Sequence, residues 1–186
     1  MRFYNAMPDE NILVDKIFKW IVDILVVIVL AIFFIMFFCE QTKVVGNSMN
    51  MSLMNNDTVL IDSLSYKLHS PARYDVIVFS KDNNGKDTEY IKRIIGLPGD
   101  SVLISDGIIY INGKEQKGIK FDERIVNPGL AKETIKLEYN EYFVIGDNIN
   151  NSEDSRSNTL SNVKIDEIKG KVWLVGWPFA RIRLVK

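Results

Sequence analysis

The stretch VLISDGIIYI at residues 102–111 decides the fold class of this chain. It contains two runs rich in β-branched residues, which favour strands, separated by the dipeptide Asp106-Gly107. Asp-Gly between two such runs is a strong signal for a tight hairpin turn. A second turn signal, Asn112-Gly113, follows the second run at once. The segment therefore predicts consecutive antiparallel strands.

The same period of two continues outward on both sides of this hairpin. The predicted strands are short, and turn residues separate them frequently, which is typical of an antiparallel β domain with long irregular connections. The Asn-rich and Ser-rich stretch at 148–162 is predicted to be a loop. The fold class is therefore mainly β, built on antiparallel sheet. The other candidate strands are residues 58–61, 75–79, 90–95, 134–137, 142–145, 172–175 and 181–185.

The composition excludes several classes of protein and site. The chain has 186 residues, of which 47% are hydrophobic and 25% charged, so it is neither disordered nor collagen-like. The net charge of -1 gives no basic field for nucleic acid, and no nucleic-acid partner is expected. One cysteine excludes an intramolecular disulfide and a four-thiolate zinc site. The single histidine, His69, leaves a hydrolase in need of another general base.

Residues 24–39 read ILVVIVLAIFFIMFFC and carry no charge. Counted from Trp20, the stretch has twenty residues with Asp23 as its one charge, enough for a helix of about 30 Å, the thickness of a bilayer core. It is apolar on every face, unlike the one-sided stripe of a helix packed on a soluble core. No small residues stand one and three positions before a possible cleavage point, so we expect an anchor that stays attached rather than a cleaved leader.

The basic residues that flank this stretch predict its orientation. Arg2, Lys16 and Lys19 precede it, whereas Lys43 alone lies in the twenty residues that follow. Because cytoplasmic flanks carry the excess of Lys and Arg, the N-terminus is expected in the cytoplasm. The predicted organisation is a cytoplasmic tail at 1–19, a transmembrane helix at 20–39 and an exported β-rich catalytic domain at 40–186.

Three further segments carry residues that suggest chemistry: VGNSMNMSL at 45–53, YIKRIIGLPGD at 90–100 and GDNINNSEDSR at 146–156. Ser48 lies in a predicted turn, where it is either a plain turn residue or a nucleophile that needs a base. Alternation along a strand places Lys92 on one face with Tyr90 and Ile94. Such neighbours would desolvate the ammonium group and lower its pKa, unless the side chain reaches past them to water.

The order of these segments behind an N-terminal anchor resembles the type I signal peptidases, membrane-bound Ser-Lys proteases that remove signal peptides, in their Gram-positive bacterial form. The resemblance implies that Ser48 is the nucleophile and Lys92 the general base, and that no cofactor takes part. A neutral lysine can take the serine proton and later give it to the leaving amine. It also implies that signal peptides of exported precursors are the substrates and the cell membrane the location.

The resemblance extends to residues around the dyad. The Ser48 N–H is expected to bind the oxyanion, and Gly46 holds the position at which some relatives add a hydroxyl. Ser152 matches a serine that orients the lysine. Asp154 and Arg156 match a pair that braces their loop, with Arg93 as a further partner of that pair. Asp147 and Asn148 are interpreted as turn-forming residues that support the site.

Two positions depart from the pattern of many relatives. Met51 stands where many have proline and Ile149 where many have arginine, and either change could alter the substrate cleft. They favour a specialised peptidase with a narrow set of surface-protein clients. The alternative is a non-cleaving chaperone for surface-protein or pilus assembly, against which the retained Ser48 and Lys92 argue. A tethered receptor or a repressor-type autoprotease would require the matches or the anchor to be coincidental.

Two surfaces are expected to contact substrate or lipid. An extended signal peptide can pair with an exposed strand edge, and shallow apolar pockets would accept its small side chains. The residues expected to line this cleft or touch the membrane are Met49, Leu53, Met54 and Tyr90. Aromatic residues are favoured at the membrane interface, and the candidates are Trp173, Trp177, Pro178 and Phe179, with Trp173 equally compatible with core packing.

Overall fold

The computed structural model describes residues 10–38, 40–83, 85–119, 121 and 123–185, with side chains of the first helix described for 14–33. The chain divides into two compact units, Met1–Cys39 and Glu40–Lys186. The first unit consists of helix α1 (Glu10–Phe38), whose described side chains are all exposed. Within the described residues, no helix meets the length and hydropathy expected of a membrane span. The predicted span 20–39 includes Cys39, which lies outside the described residues.

The second unit is built from two antiparallel sheets, as the sequence predicts. The larger sheet has the order β1-β2-β11-β3-β4-β9-β10, with β12 paired to β11. Its strands are β1 (Glu40–Lys43), β2 (Thr58–Asp62), β3 (Val76–Asn83), β4 (Lys86–Gly96), β9 (Glu141–Ile145), β10 (Val163–Lys164), β11 (Ile168–Trp177) and β12 (Arg183–Leu184). A short helix, α2 (Ser65–Leu68), follows β2.

The smaller sheet has the order β7-β6-β5-β8 and contains the hairpin predicted at residues 102–111. Asp106 and Gly107 have φ angles of 53° and 76°, the left-handed geometry of a tight turn, and Ser105 pairs with Ile108 across it. Asn112 and Gly113 repeat this geometry. Both predicted turns are confirmed. The strands are β5 (Ser101–Ser105), β6 (Ile108–Ile111), β7 (Lys114–Glu115) and β8 (Ile135–Lys136).

Each predicted strand overlaps an observed one, but β1 was not predicted. Its sequence, Glu40–Lys43, is polar throughout and shows no apolar alternation. It forms because its backbone pairs with the buried strand β2, Gln41 opposite Leu60 and Thr42 opposite Val59. Pairing with a partner strand thus overrides local propensity. The chain leaves β1 directly into the turn that carries Ser48.

The interior of the larger sheet positions β4. The last part of this strand, from Lys92 to Gly96, is fully buried between β3 and β9. Lys92 lies opposite Ile77 of β3, which belongs to a core cluster that also contains Ile94 and contacts Tyr90. The predicted alternation along this strand is therefore confirmed. A lysine and an arginine in sequence, Lys92 and Arg93, are consequently carried into the interior of a hydrophobic sheet.

Candidate active site

The turn that contains Ser48 is anchored to the hydrophobic core by two buried apolar side chains. Met49 is 2% exposed and Leu53 0%, and both belong to the core cluster around β2 and β11. Backbone hydrogen bonds from Ser52 and Leu53 to the Met49 carbonyl, 2.9 and 2.7 Å, close the turn. Gly46 precedes it with a φ angle of +89°, a left-handed conformation that glycine adopts without strain. Ser48 is thus held on a rigid, half-buried turn.

Ser48 and Lys92 are joined by a hydrogen bond of 2.6 Å between the Oγ and Nζ atoms. The two residues come from different elements, the turn after β1 and the centre of β4. Lys92 is 4% exposed, and its burial lowers the pKa of the ammonium group from the ordinary value. Asp154, Glu153 and Asp147 oppose this shift, while Arg156 adds to it. The pair therefore has the contact and the direction of pKa shift that proton transfer requires.

A cavity of about 560 Å³ opens beside this pair. It is lined by residues 42–49 on one side, residues 89–92 on the other, and Asn151 and Glu153 at the rim. One wall is a segment of β4, and the other begins at the end of β1 and continues into the Ser48 turn, so an extended chain can lie along the β4 side. The Ser48 N–H donates to no group among the described residues, and it is therefore available to an incoming carbonyl oxygen.

Residues 146–156 form a loop that is bonded to the Ser48 turn. The Asn148 N–H donates to the Ser48 carbonyl at 2.9 Å, and the Asn148 side chain donates to the Asn47 carbonyl at 3.0 Å. The Asp147 N–H meets the Met49 sulfur at 3.4 Å. These bonds connect residues about a hundred positions apart and hold the Ser48 turn against the loop. Asn148 thus positions the site as well as forming a turn.

Arg93 forms its ion pair with Asp147 rather than with the Asp154–Arg156 pair. The Arg93 Nε and Nη2 atoms lie 2.7 Å from the two Asp147 carboxylate oxygens, and both residues are 3% exposed. Arg93 also donates to the Ser52 hydroxyl at 2.9 Å and the Tyr74 carbonyl at 2.8 Å. The expected partner of Arg93 is therefore corrected. An arginine between Ile91 and Ile95 on an interior strand requires a carboxylate, a signal that predicts a buried acidic partner but does not say which one.

Asp154 and Arg156 form a second buried pair. The Arg156 Nε and Nη2 atoms lie 2.7 and 2.8 Å from the two oxygens of Asp154, which is 1% exposed. Arg156 also donates to the Ile149 carbonyl at 2.6 Å, which closes the loop on itself. Bidentate pairs of this kind are the strongest charge-assisted hydrogen bonds in proteins. The loop after β9 is therefore held by its own side chains.

Ser152 differs from its expected place. Its Oγ atom is buried and makes no hydrogen bond to any described residue, so it is not hydrogen-bonded to Lys92 here. The hydroxyl instead packs against Gly146, where a Cβ atom would clash with it. A buried hydroxyl without a partner is costly, and it marks a group available for a contact made during the reaction.

Comparison with known proteins decides the family. The family described as signal peptidase, peptidase S26 matches residues 17–177. This chain belongs to that family. It is 35% identical to signal peptidase I S of Bacillus subtilis over 95% of this chain and 98% of that protein. It is 36% identical to the probable signal peptidase I-2 of Synechocystis over 85% of this chain and 72% of that protein.

A solved structure of a signal peptidase I from Enterococcus faecalis is also similar to this signal peptidase. The two share 28% identity with a TM-score of 0.44, over 56% of this chain and 97% of that one. Both curated relatives are named as signal peptidases.

Four expectations about the cleft of the peptidase are corrected or refined. Leu53 does not line the catalytic cavity, because its side chain is fully buried in the core, and Met49 borders the cavity only from the core side. Tyr90 does line it. Met51 lines a separate cavity of about 420 Å³ beside Arg93 and Asp147. Ile149 is buried at 3% exposure, so neither departure from the family pattern contacts the catalytic cavity.

The aromatic residues expected at the membrane interface, and His69, do not line the cavity beside Ser48. Trp177 and Phe179 are 52% and 71% exposed, and their rings meet edge to face with centroids 4.6 Å apart. Trp173 lies within β11 and is partly buried. His69 is exposed, and within the described ranges no group of three or more His, Cys, Asp or Glu is arranged to hold a metal ion.

Proposed function

We propose that Ser48 is the nucleophile and Lys92 the general base with which this signal peptidase removes signal peptides from exported precursor proteins. The observation that carries the proposal is the 2.6 Å contact between Ser48 Oγ and a buried Lys92 Nζ. A serine hydroxyl is a weak nucleophile until a base takes its proton. A lysine serves as that base only in its neutral form, which burial favours.

The reaction follows from the positions of these groups. Neutral Lys92 accepts the proton of the Ser48 hydroxyl while Oγ attacks the scissile carbonyl carbon. The Ser48 N–H stabilises the oxyanion that forms. Lys92 then gives its proton to the leaving amine, and the signal peptide remains as an ester on Ser48. A water molecule, deprotonated by Lys92, hydrolyses the ester and regenerates the serine.

Ser152 is assigned a role in the steps during which Lys92 carries a proton. Once Lys92 carries a proton, its ammonium group needs an acceptor besides Ser48, and the Ser152 hydroxyl has no other partner among the described residues.

The Asp147–Arg93 and Asp154–Arg156 ion pairs act indirectly. They hold the loop from which Ser152 and Asn148 reach the Ser48 turn, so they position the dyad without touching substrate.

The peptidase acts from the membrane, with its N-terminus in the cytoplasm and residues 40–186 outside. Support comes from the uncharged stretch 24–39 and from the exposure of every described apolar side chain of α1, which is unfavourable in water. The exposed Trp177 and Phe179 are suited to the interface between lipid and water. Retention of the full chain in the membrane pellet after alkaline carbonate washing tests the anchor, and release into the supernatant contradicts it.

The clients are precursors whose cleavage segment is extended and carries small residues, and a narrow set of surface proteins remains the hypothesis for their identity. The direct test is processing of a precursor by the membrane-embedded full chain. We expect Ser48→Ala to stop cleavage while leaving the far-ultraviolet circular dichroism unchanged. Continued cleavage by this variant would overturn the assignment of the nucleophile.

A further inference from the structure

The catalytic cavity contains one carboxylate whose role the reaction does not explain. Four charged side chains line the cavity: Lys43, Glu89, Lys92 and Glu153. Lys92 bonds to Ser48, and Glu89 forms an ion pair with Lys169 and accepts a hydrogen bond from Thr42 at 3.3 Å. Glu153 is exposed and forms no ion pair or hydrogen bond with any described residue.

The backbone holds Glu153 in a fixed place despite this exposure. The next residue, Asp154, is 1% exposed and clamped by Arg156 through two hydrogen bonds of 2.7 and 2.8 Å. The preceding residue, Ser152, is packed against Gly146. The rigid segment fixes the backbone of Glu153 at the cavity, so that only its side chain has to be ordered when a charged group binds to it.

Glu153 also lies close to the reacting pair. Its charge acts on the Lys92 ammonium group, whose pKa it raises against the effect of burial. A substrate whose scissile bond reaches Ser48 therefore brings its neighbouring side chains within reach of this carboxylate. No described lysine or arginine lies within ion-pair distance of Glu153: Lys92 bonds to Ser48, and Lys43, which also lines the cavity, forms no ion pair with it.

We propose that Glu153 is a specificity-determining residue that selects precursors with a lysine or arginine close to the scissile bond. The inference rests on the proposed function, since it assigns the cavity to the cleavage segment. A carboxylate paired with a substrate cation makes a charge-assisted hydrogen bond, whereas a substrate carboxylate at the same place is repelled. At a partly exposed rim we expect a preference of roughly fivefold for lysine over glutamine.

Pairing with substrate has a second consequence for the base. The charged groups that act on Lys92 are Asp154, Glu153 and Asp147, which raise its pKa, and Arg156, which lowers it. A substrate cation bound to Glu153 cancels one of the three raising charges. The neutral form of Lys92 then becomes more abundant at a given pH, and the acid limb of kcat moves to lower pH for a lysine substrate than for a glutamine substrate.

The test uses the full chain in detergent with a set of peptides based on one signal-peptide cleavage segment. Single positions on both sides of the scissile bond carry lysine, glutamine or glutamate in turn, and kcat/KM is measured for each peptide. The wild type is compared with Glu153→Gln and Glu153→Lys. Glu133→Gln is the matched control, because it removes the same charge from an exposed position before β8 in the other sheet.

We expect at least one position at which the wild type and Glu133→Gln prefer lysine roughly fivefold over glutamine. The ratio should fall to near one in Glu153→Gln and invert in Glu153→Lys. The difference in the kcat acid limb between the two peptides should vanish in Glu153→Gln. Equal ratios in the wild type at every position, or an unchanged ratio in Glu153→Gln, would overturn the inference. Neither outcome touches the proposed function, which fails only if Ser48→Ala still cleaves the peptides.

Discussion

Arg93 and Asp147 form a bidentate ion pair in the interior of the peptidase, next in sequence to Lys92, the proposed general base. Both partners are 3% exposed, and the two N–O distances are 2.7 Å. The Lys92 side chain of this strand therefore bonds to Ser48, and the adjacent Arg93 side chain bonds to Asp147. Lys92 has no carboxylate partner at hydrogen-bond distance among the described residues, whereas Arg93 is paired with Asp147, so that this strand carries the proposed base next to a structural ion pair.

This pair predicts a large effect of Asp147→Asn on stability. The substitution keeps the shape of the side chain but leaves the buried Arg93 guanidinium without a counter-charge. Breaking a buried pair in this way costs about 3–5 kcal/mol, and we expect a loss of that size in the free energy of unfolding. Urea unfolding of the detergent-solubilised chain measures it.

The control for this experiment is an exposed ion pair in the same domain. Glu115 lies 3.7 Å from Lys117, and both side chains face solvent. Such pairs contribute at most about 1 kcal/mol, so Glu115→Gln should change the unfolding free energy by less than that. If the two variants are equally stable, the Arg93–Asp147 pair does not have the structural role assigned to it.

Lys92→Met should inactivate the peptidase and at the same time stabilise it. Loss of a general base lowers kcat by about 10²- to 10⁴-fold. Burial lowers the folded-state pKa of Lys92, so at low pH the fold must carry an unfavourable buried charge. Between the folded and unfolded pKa values the unfolded chain binds more protons, and wild-type stability rises with pH through that window.

Methionine removes this dependence. The stability gain of Lys92→Met should be greatest below the folded pKa and should shrink as pH rises toward the ordinary lysine value of about 10.4. Lys136→Met, on the exposed side of β8, is the matched control and should show no such trend. A gain that stays constant with pH would mean that Lys92 titrates normally.

Gly146→Ala should damage the site by a steric route. A Cβ atom at this position would lie 2.5 Å from the Ser48 carbonyl oxygen and would clash with the Ser152 hydroxyl. The strain of such overpacking is about 1–3 kcal/mol, and displacement of the Ser48 turn should lower kcat by about a hundredfold.

Gly176→Ala provides the comparison, because its nearest neighbour would be 3.8 Å away, an ordinary contact. We expect that variant to retain wild-type kcat/KM and thermal stability. Wild-type kcat in Gly146→Ala would show that the turn and the loop move independently.

Ser152→Ala should separate activity from stability. The buried hydroxyl has no hydrogen bond to lose, so the free energy of unfolding should stay within about 1 kcal/mol of the wild type. A hydrogen bond to protonated Lys92 during the reaction is worth about 1.5–3 kcal/mol, which corresponds to a loss of roughly tenfold to a hundredfold in kcat.

Ser155→Ala should behave in the opposite way. The Ser155 hydroxyl is buried and accepts the Val144 N–H at 3.0 Å, so its removal leaves a buried donor unpaired and costs about 1–3 kcal/mol of stability. Steady-state kinetics and urea unfolding on both variants distinguish the two roles. Unchanged kcat in Ser152→Ala would remove Ser152 from the mechanism.

Much of the fold was predictable because its signals are local. The hairpins at Asp106-Gly107 and Asn112-Gly113 depend on two adjacent residues, and the alternation of Tyr90, Lys92 and Ile94 depends on three. The polar strand β1 escaped prediction because it is stabilised by pairing with β2 rather than by its own residues. Thr42 and Lys43 of this strand begin one wall of the cavity beside Ser48, so that part of the wall was not predicted.

By itself, the sequence determined the antiparallel β class, the two tight turns and the segments that contain Ser48, Lys92 and the loop at 146–156. Only the tertiary structure decided which acid neutralises Arg93, that Leu53 belongs to the core, and that Glu153 faces the catalytic cavity unpaired. The physical reason is separation along the chain. Arg93 and Asp147 are 54 residues apart, and Ser48 and Lys92 are 44 apart. Contacts at such distances are set by how the sheets pack, which no local pattern encodes.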